Sequence, residues 1–304
     1  MRPAAKRELG KTLKWTLAIL TIGGALVYAQ NPMLLRWDKA APFPEPEEEL
    51  YGIETGGKMY VIGGFSENGK PAPAMVYEYD PGPDKWTKKK PIPVPVHHQA
   101  QAKLNGKIYI FGGCQRPLSG PGMGGWQPVN NSWEYDPVAD SWRALAPMPI
   151  SRCSAIAEEV GGKIYVIGGR LGAAHVTASS NTDVVEEYDP ARDLWGAVRS
   201  RMPTPRSGGG WGTYNGRIYV AGGEGQHERA NFSFRALEAY EPATNRWIVL
   251  PSMPTARHGA AGAFIGNKFH LVSGKPEGGG LPDLAGKGLP VHDVLEIPAS
   301  FGTR

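Results

Sequence analysis

The sequence has little cysteine and almost no net charge over most of its length. Two cysteines among 304 residues are too few for a disulfide framework or a cysteine-based zinc module. The formal net charge of +4 comes from the first 29 residues, where five basic residues accompany one acidic residue. The remaining chain has 33 − 5 = 28 basic and 29 − 1 = 28 acidic residues. A neutral body lacks the basic surface that nucleic acid requires, so we expect no nucleic-acid partner.

A short apolar run follows the basic N-terminal segment. Residues 15–29 carry no charge, and as a helix they would span about 22 Å, less than the roughly 30 Å hydrocarbon core of a bilayer. Small residues precede Gln30, as they do at signal peptidase sites. We therefore predict a hydrophobic N-terminal helix within a leader, residues 1–29, that is either a cleaved signal peptide or an uncleaved membrane anchor. Both alternatives export the body, residues 30–304, to a periplasmic or other extracytoplasmic location.

A repeated nine-residue segment dominates the rest of the chain. It occurs as GGKMYVIGG, NGKIYIFGG, GGKIYVIGG and NGRIYVAGG, with a degraded fifth copy, GNKFHLVSG. The last glycines of these copies are 49, 56, 54 and 51 residues apart. Each copy has a turn signal, a strand rich in β-branched and aromatic residues, and a glycine stop. Self-similarity at this period predicts a solenoid or a propeller.

A second motif follows each of the first four copies. A Tyr-Asp-Pro or Tyr-Glu-Pro sequence ends a strand, and a tryptophan comes seven residues after each tyrosine: Trp86, Trp142, Trp195 and Trp247. The constant spacing predicts one fixed turn between two paired strands. Proline-rich segments then lead to the next copy.

Together these motifs resemble those of kelch repeats, the four-stranded blades of a β-propeller. The resemblance covers about residues 36–298 and implies an all-β fold. The fifth repeat lacks its tryptophan strand, whereas Arg36-Trp37-Asp38 and the prolines after it match that strand at the other end of the chain. We therefore predict five blades closed by the N-terminal strand, although kelch propellers more often have six or seven. Closure removes the exposed edges that an open sheet would present.

The loops after the Gly-Gly pairs vary in length, whereas the other connections are short and constant. Variable loops on a rigid scaffold usually carry the binding site. Alignment of the inner strands gives two levels: Glu47, Val96, Arg152, Arg206 and Arg257 at the first, and Glu48, His97, Cys153, Ser207 and His258 at the next. We predict these residues, together with Arg170 and Glu224, at the mouth of the central channel. Clustered arginines suit a carboxylate or phosphate ligand, but we favour the alternative that they pair with neighbouring carboxylates or carbonyls between blades.

Three further features leave alternatives open. His97, Cys153 and His258 are metal-ligating residue types, but they lie on different blades, so we assign no metal and no cofactor. Cys114 and Cys153 are expected near one face, either as a disulfide in an oxidising compartment or as buried thiols. Trp126, in a long loop, either contacts a ligand or packs within that loop.

Three functions follow from these features. The first is a non-catalytic propeller outside the cytoplasmic membrane that binds a protein or a glycan through its long-loop face. The second is an accessory subunit of a membrane complex, held by an uncleaved leader. The third is a carbohydrate-active enzyme, since the resemblance includes galactose oxidase and sialic acid epimerases. The copper oxidase requires a Tyr-His pair that this sequence lacks, and an epimerase requires an acid/base pair, here Glu48 or Glu224 with Arg152 or Arg206.

Overall fold

A computed structural model of the chain describes residues 37–46, 50–64, 74–115, 127–171, 181–227, 230–278 and 288–301. The chain divides into two compact units, Met1–Pro32 and Met33–Arg304, and all described residues belong to the second. The leader and its predicted helix lie outside the described residues, so their prediction stays untested. Within the described part of the chain, no helix has the length and hydropathy needed to cross a membrane.

The second unit contains five four-stranded antiparallel sheets, which confirms the predicted five-bladed β-propeller. It begins with β1 (Trp37–Lys39). Blade 1 consists of β2 (Leu50–Thr55), β3 (Lys58–Gly63), β4 (Met75–Asp80) and β5 (Lys85–Lys88). Blade 2 consists of β6 (Ala100–Leu104), β7 (Lys107–Phe111), the hairpin β8 (Cys114–Gln115) and β9 (Gln127–Pro128), then β10 (Ser132–Asp136) and β11 (Ser141–Leu145).

Blade 3 consists of β12 (Ile156–Val160), β13 (Lys163–Ile167), β14 (Val185–Asp189) and β15 (Leu194–Arg199). Blade 4 consists of β16 (Gly210–Tyr214), β17 (Arg217–Ala221), the hairpin β18 (Glu224–His227) and β19 (Ala230–Ser233), then β20 (Leu237–Glu241) and β21 (Arg246–Leu250). Blade 5 consists of β22 (Ala261–Ile265), β23 (Lys268–Val272), β24 (His292–Glu296) and β1.

The N-terminal strand closes the ring, as the sequence predicts. Strand β1 pairs antiparallel with β24, with Trp37 opposite Leu295 and Lys39 opposite Asp293. The first strands of successive blades lie against one another around the axis. Five clusters of buried apolar residues fill the spaces between neighbouring blades.

The spacing of seven between tyrosine and tryptophan has a direct structural cause. In four blades the two residues are cross-strand partners on the third and fourth strands. Their rings pack with centroids 4.7–5.0 Å apart. This packing orders the outer half of each blade.

The residue five positions after each of these tyrosines joins neighbouring blades. Its side-chain oxygen accepts a hydrogen bond from the tyrosine hydroxyl and another from a backbone N–H in the linker that follows the preceding blade. The four pairs of residue and backbone donor are Asp84 with Ala41, Asp140 with Lys90, Asp193 with Ala146, and Asn245 with Ser200. The Ala41 bond places the segment after β1 in the position that an outer-strand linker occupies in the other blades.

Candidate binding face

The sequence alignment of the inner strands is confirmed in four blades. The residue at the predicted second level forms a β-bridge with the residue after each Gly-Gly or Ser-Gly pair: His97 with Cys114, Cys153 with Arg170, Ser207 with Glu224, and His258 with Lys275. The start of each long loop and the approach to each inner strand therefore lie side by side. We call this end of the propeller the long-loop face.

The two cysteines join blades 2 and 3 at this face. Cys114 and Cys153 form a disulfide with their Cα atoms 5.4 Å apart, and both residues are buried. The sequence left open a disulfide or two buried thiols, and the structure contains the disulfide. It fixes the base of the β8–β9 hairpin to the next blade.

Glu224 joins blades 3, 4 and 5 at the equivalent positions. Its carboxylate forms a buried ion pair with Arg170, and Arg170 Nη2 also donates to Ser207 Oγ at 3.2 Å. The second carboxylate oxygen lies 3.8 Å from His258 Nε2. Asn181 Nδ2, from the blade 3 loop, donates to the Glu224 carbonyl at 3.2 Å. The predicted residues Arg170, Glu224 and His258 are thus brought together, in an arrangement that orders the bases of two long loops.

The three arginines predicted at the channel mouth are buried, each about 1% exposed. Each forms an ion pair with a carboxylate on the third strand of its own blade: Arg152 with Glu186, Arg206 with Glu238 at 2.7 Å, and Arg257 with Asp293 at 3.0 Å. Burial lowers the pKa of Arg152 and of Arg206, and the paired glutamate opposes this effect. The arginines therefore form ion pairs within the protein, and a ligand would have to break these pairs to reach the guanidinium groups.

Sequence reasoning missed the carboxylates that pair with these arginines. Glu186 and Glu238 each lie two residues before the tyrosine of their blade, and Asp293 occupies the same register in blade 5. Blade 2, which has Val96 at the arginine level, has Trp133 in that register. Blades with an arginine at the first level also have a carboxylate in this register, and blade 2 has neither. This co-occurrence in the repeats could have revealed the pairs.

Backbone hydrogen bonds narrow the channel just inside the long-loop face. Four of the five blades donate such a bond to the blade before them: Ser154 N to His98 O, Gly208 N to Ser154 O, Gly259 N to Gly208 O, and Leu50 N to Gly259 O, at 2.5–3.1 Å. His98 and Ser154 adopt positive φ values of 60° and 53° to make these contacts. A ligand that enters from this face therefore meets backbone at the axis, and binding surface remains above that level.

The hairpin β18–β19 presents an aromatic side chain at the long-loop face. Phe232 is 45% exposed and packs edge-to-face on Phe234 with centroids 5.2 Å apart. Ser233 Oγ lies 3.4 Å from His258 Nδ1, which connects the hairpin to the Glu224 contacts. Leu171, directly after Arg170 in the blade 3 loop, is 49% exposed. Leu171 thus directly follows the buried Arg170, and Phe232 precedes Ser233, which contacts the buried His258.

Two predicted site residues, Glu48 and Trp126, lie outside the described residues. His97 is buried and contacts His98. Arg152 pairs with Glu186 and Arg206 pairs with Glu238, whereas Glu224 pairs with Arg170. Across the described ranges, no three His, Cys, Asp or Glu side chains are grouped as metal ligands.

Comparisons with known proteins agree with this architecture. The family model described as attractin/LZTR1 β-propeller matches residues 59–278. Kelch-like protein 15 of Danio rerio is 29% identical over 46% of this chain and 25% of its own length. An F-box/kelch-repeat protein of Arabidopsis thaliana is 30% identical over 47% of this chain and 39% of its own length. The chain therefore spans well under half of the curated relatives it matches.

The solved structure of YjhT shares the fold. The match has a TM-score of 0.56 and 18% sequence identity, and it covers 77% of this chain and 75% of the other. At that identity the likeness concerns the fold alone.

Proposed function

This chain belongs to the attractin/LZTR1 β-propeller family of kelch-repeat proteins, and we propose that it is a non-catalytic propeller that binds a protein partner through its long-loop face, outside the cytoplasmic membrane. A kelch-type propeller supports a protein-binding role. The position of Phe232 carries the assignment of the face. An exposed aromatic side chain on an ordered hairpin has the character of an interface hot spot, because it is apolar and loses little conformational entropy on binding.

The polar groups beneath Phe232 support binding rather than catalysis. Glu224 is held by Arg170, and the three channel-level arginines are held by third-strand carboxylates. A general acid or base must reach the substrate within hydrogen-bond distance, whereas these groups are buried and directed toward one another. Their arrangement fixes loops, and fixed loops lower the entropy that binding would cost.

Two observations support the extracytoplasmic location. The basic and apolar leader predicts export, and the Cys114–Cys153 disulfide is a bond that persists in oxidising compartments. When cells are converted to spheroplasts, a cleaved chain should be released into the medium and an anchored chain should be digested by added protease, while a cytoplasmic marker survives. A chain that is protected together with the marker would contradict export. N-terminal sequencing of the mature protein distinguishes cleavage, which starts it at Gln30, from an anchor, which retains the leader.

Site-specific photocrosslinking tests the binding face. The photoreactive p-benzoylphenylalanine replaces Phe232 in the full chain, and in a control it replaces Val138, which is 98% exposed on a turn of the opposite face. In native membranes we expect one discrete crosslinked partner from position 232 and none from position 138. Leu171→Asp should reduce recovery of that partner at least tenfold, whereas Val138→Asp should leave it unchanged. Equal crosslinking from both positions would assign the contacts to nonspecific collision.

A further inference from the structure

The arginines at equivalent positions in blades 3, 4 and 5 differ in how many of their guanidinium nitrogens are hydrogen-bonded. Arg152 uses one terminal nitrogen for the Glu186 carboxylate and the other for two backbone carbonyls at 3.3 Å. Arg206 likewise uses Nη1 for Glu238 at 2.7 Å and Nη2 for a backbone carbonyl at 3.4 Å. In these two blades both terminal nitrogens therefore have an acceptor, whereas Nε has no partner among the described residues.

Arg257 in blade 5 is bonded less completely. Its Nη1 pairs with Asp293 at 3.0 Å, but neither Nη2 nor Nε has a hydrogen-bond partner within the described part of the chain. The side chain is fully buried, with 0% of its surface exposed. A buried donor without a partner is costly, more so on a charged group, and folded proteins rarely keep one. Blade 5 therefore has two adjacent donors that need an acceptor.

The two unbonded nitrogens of Arg257 point in the same direction. Nε and Nη2 form one edge of the planar guanidinium group, and Nη1, which binds Asp293, lies outside that edge. Two N–H groups on one edge can donate to a single acceptor atom and leave the Asp293 ion pair intact. A larger ligand that entered from the long-loop face would have to break that pair, whereas a ligand with one acceptor atom would not.

The partner of Arg257 differs from those of the other two arginines. Asp293 occupies the register of Glu186 and Glu238, but aspartate is one methylene shorter than glutamate. An arginine that pairs with the shorter side chain must extend further toward the third strand, which moves Nη2 away from the second-strand carbonyl that Arg206 reaches. The shorter carboxylate also fills less space beside the guanidinium. Folded proteins hold single water molecules at buried polar positions of this kind.

We propose that the Nε–Nη2 edge of Arg257 is a binding site for one small hydrogen-bond acceptor, either a water molecule or a halide ion. These two ligands share the chemistry that the site requires, which is a single acceptor atom within reach of both N–H groups. The bound ligand would complete the hydrogen bonds of the blade that β1 closes, since Asp293 lies opposite Lys39 of β1. The proposal does not depend on the function assigned to the long-loop face.

Crystals of the full chain grown in chloride and in bromide test the site. We expect one electron-density peak at hydrogen-bond distance from both Nε and Nη2 of Arg257, about 2.7–3.2 Å for a water oxygen and longer for a halide. An anomalous bromide signal at this peak identifies a halide, and a peak without that signal identifies water. No peak in either crystal, or a direct bond from Nη2 to a protein carbonyl, would overturn the proposal.

Two variants test the physical cause of the site. Asp293→Glu gives blade 5 the carboxylate length of blades 3 and 4, so the peak at Arg257 should be lost. Glu238→Asp is the matched control, because it makes the reverse change in blade 4, and it should leave that peak unchanged. A peak that persists in Asp293→Glu would contradict the role of the shorter side chain. If that variant does not fold, Arg257→Lys keeps the positive charge beside Asp293 but removes both donors, and it should also lack the peak.

Discussion

The indole Nε1 of Trp211 donates a hydrogen bond to the backbone carbonyl oxygen of Gln101 at 3.1 Å, although the two residues lie on blades 4 and 2. Blade 3 lies between these blades in the ring, so a bond that joins them directly crosses the centre. The Trp211 ring also packs on Tyr51 of blade 1, with centroids 5.1 Å apart. Both rings are fully buried. Trp211 therefore occupies the central channel and connects three blades.

Removal of the Trp211 side chain should destabilise the whole propeller. Trp211→Ala leaves a cavity at the axis, and we expect a loss of about 3–5 kcal/mol in the free energy of unfolding. Trp211→Phe keeps most of the volume and removes only the donor to Gln101, so it should cost less. Denaturant unfolding of the two variants measures the difference. If both variants lose the same small amount of unfolding free energy, the indole does not stabilise the contacts between blades.

Asp140 should tolerate asparagine but not alanine. It accepts the Tyr135 hydroxyl and the Lys90 backbone N–H, and Asn245 performs the same two tasks in blade 4. Asp140→Ala should cost about 1–2 kcal/mol, because it removes the carboxylate oxygen that accepts both hydrogen bonds. Asp140→Asn should cost a few tenths. If calorimetry finds that the asparagine variant loses as much stability as the alanine variant, the negative charge matters more than the two hydrogen bonds.

Loss of the disulfide should lower stability without changing the fold. The Cys114–Cys153 bond closes a chain segment with a sequence separation of 39, and we expect the Cys114→Ser/Cys153→Ser variant to lose about 2–4 kcal/mol. Reductant should lower the melting temperature of the parent protein but not that of the double variant. Free thiols found in the unfolded, unreduced parent protein would contradict the bond.

Glu158 should make the protein less stable as the pH rises toward neutrality. Burial raises the pKa of Glu158 to about 7 from 4.5, and Lys103 and Thr213 only partly oppose the shift. The folded state then binds more protons than the unfolded state between about pH 4.5 and 7, so stability falls across that range. Glu158→Gln should be more stable than the parent at pH 8 by about 3 kcal/mol, and about equally stable at pH 4. If the Glu158→Gln variant is more stable than the parent protein by the same amount at both pH values, the gain comes from packing and not from the titration of Glu158.

The histidine pair in blade 5 should act in the opposite direction. His270 Nδ1 lies 2.9 Å from His292 Nε2. Burial, His292 and Lys268 lower the pKa of His270 to about 3, against the attraction of Asp84. Burial also lowers the pKa of His292, although Asp84 and Asp293 oppose the shift and Arg257 adds to it. Below about pH 6.5 the unfolded state binds more protons, so stability should fall as the pH decreases.

His270→Gln should reduce that loss. The stability difference between the parent protein and this variant should change by at most about 1.4 kcal/mol per pH unit below pH 6.5. A parallel pH profile for the two proteins would show that His270 titrates in the same way in the folded and unfolded states.

The repeats predicted the blades because the relevant contacts are local. Tyr79 and Trp86 are seven residues apart and are direct cross-strand partners, so their spacing in the sequence encodes the turn between them. The closing strand was also predictable, since Trp37 repeats the pattern of the other outer strands. The pairing of Arg206 with Glu238 spans 32 residues, and only a comparison between repeats could have suggested it.

The sequence by itself determined the architecture: five blades, their order, their closure by β1 and the face from which the long loops emerge. These follow from hydrophobic periodicity and turn residues, which act over a few positions. Only the tertiary structure decided the state of the two cysteines, the ion pairs of the arginines and the position of Trp211 at the axis. Each depends on which side chains meet in space although they are far apart in the chain, within one blade for the arginines and across blades for the cysteines and Trp211. The physical reason is that a buried charge or hydrogen-bond donor needs a partner close to it.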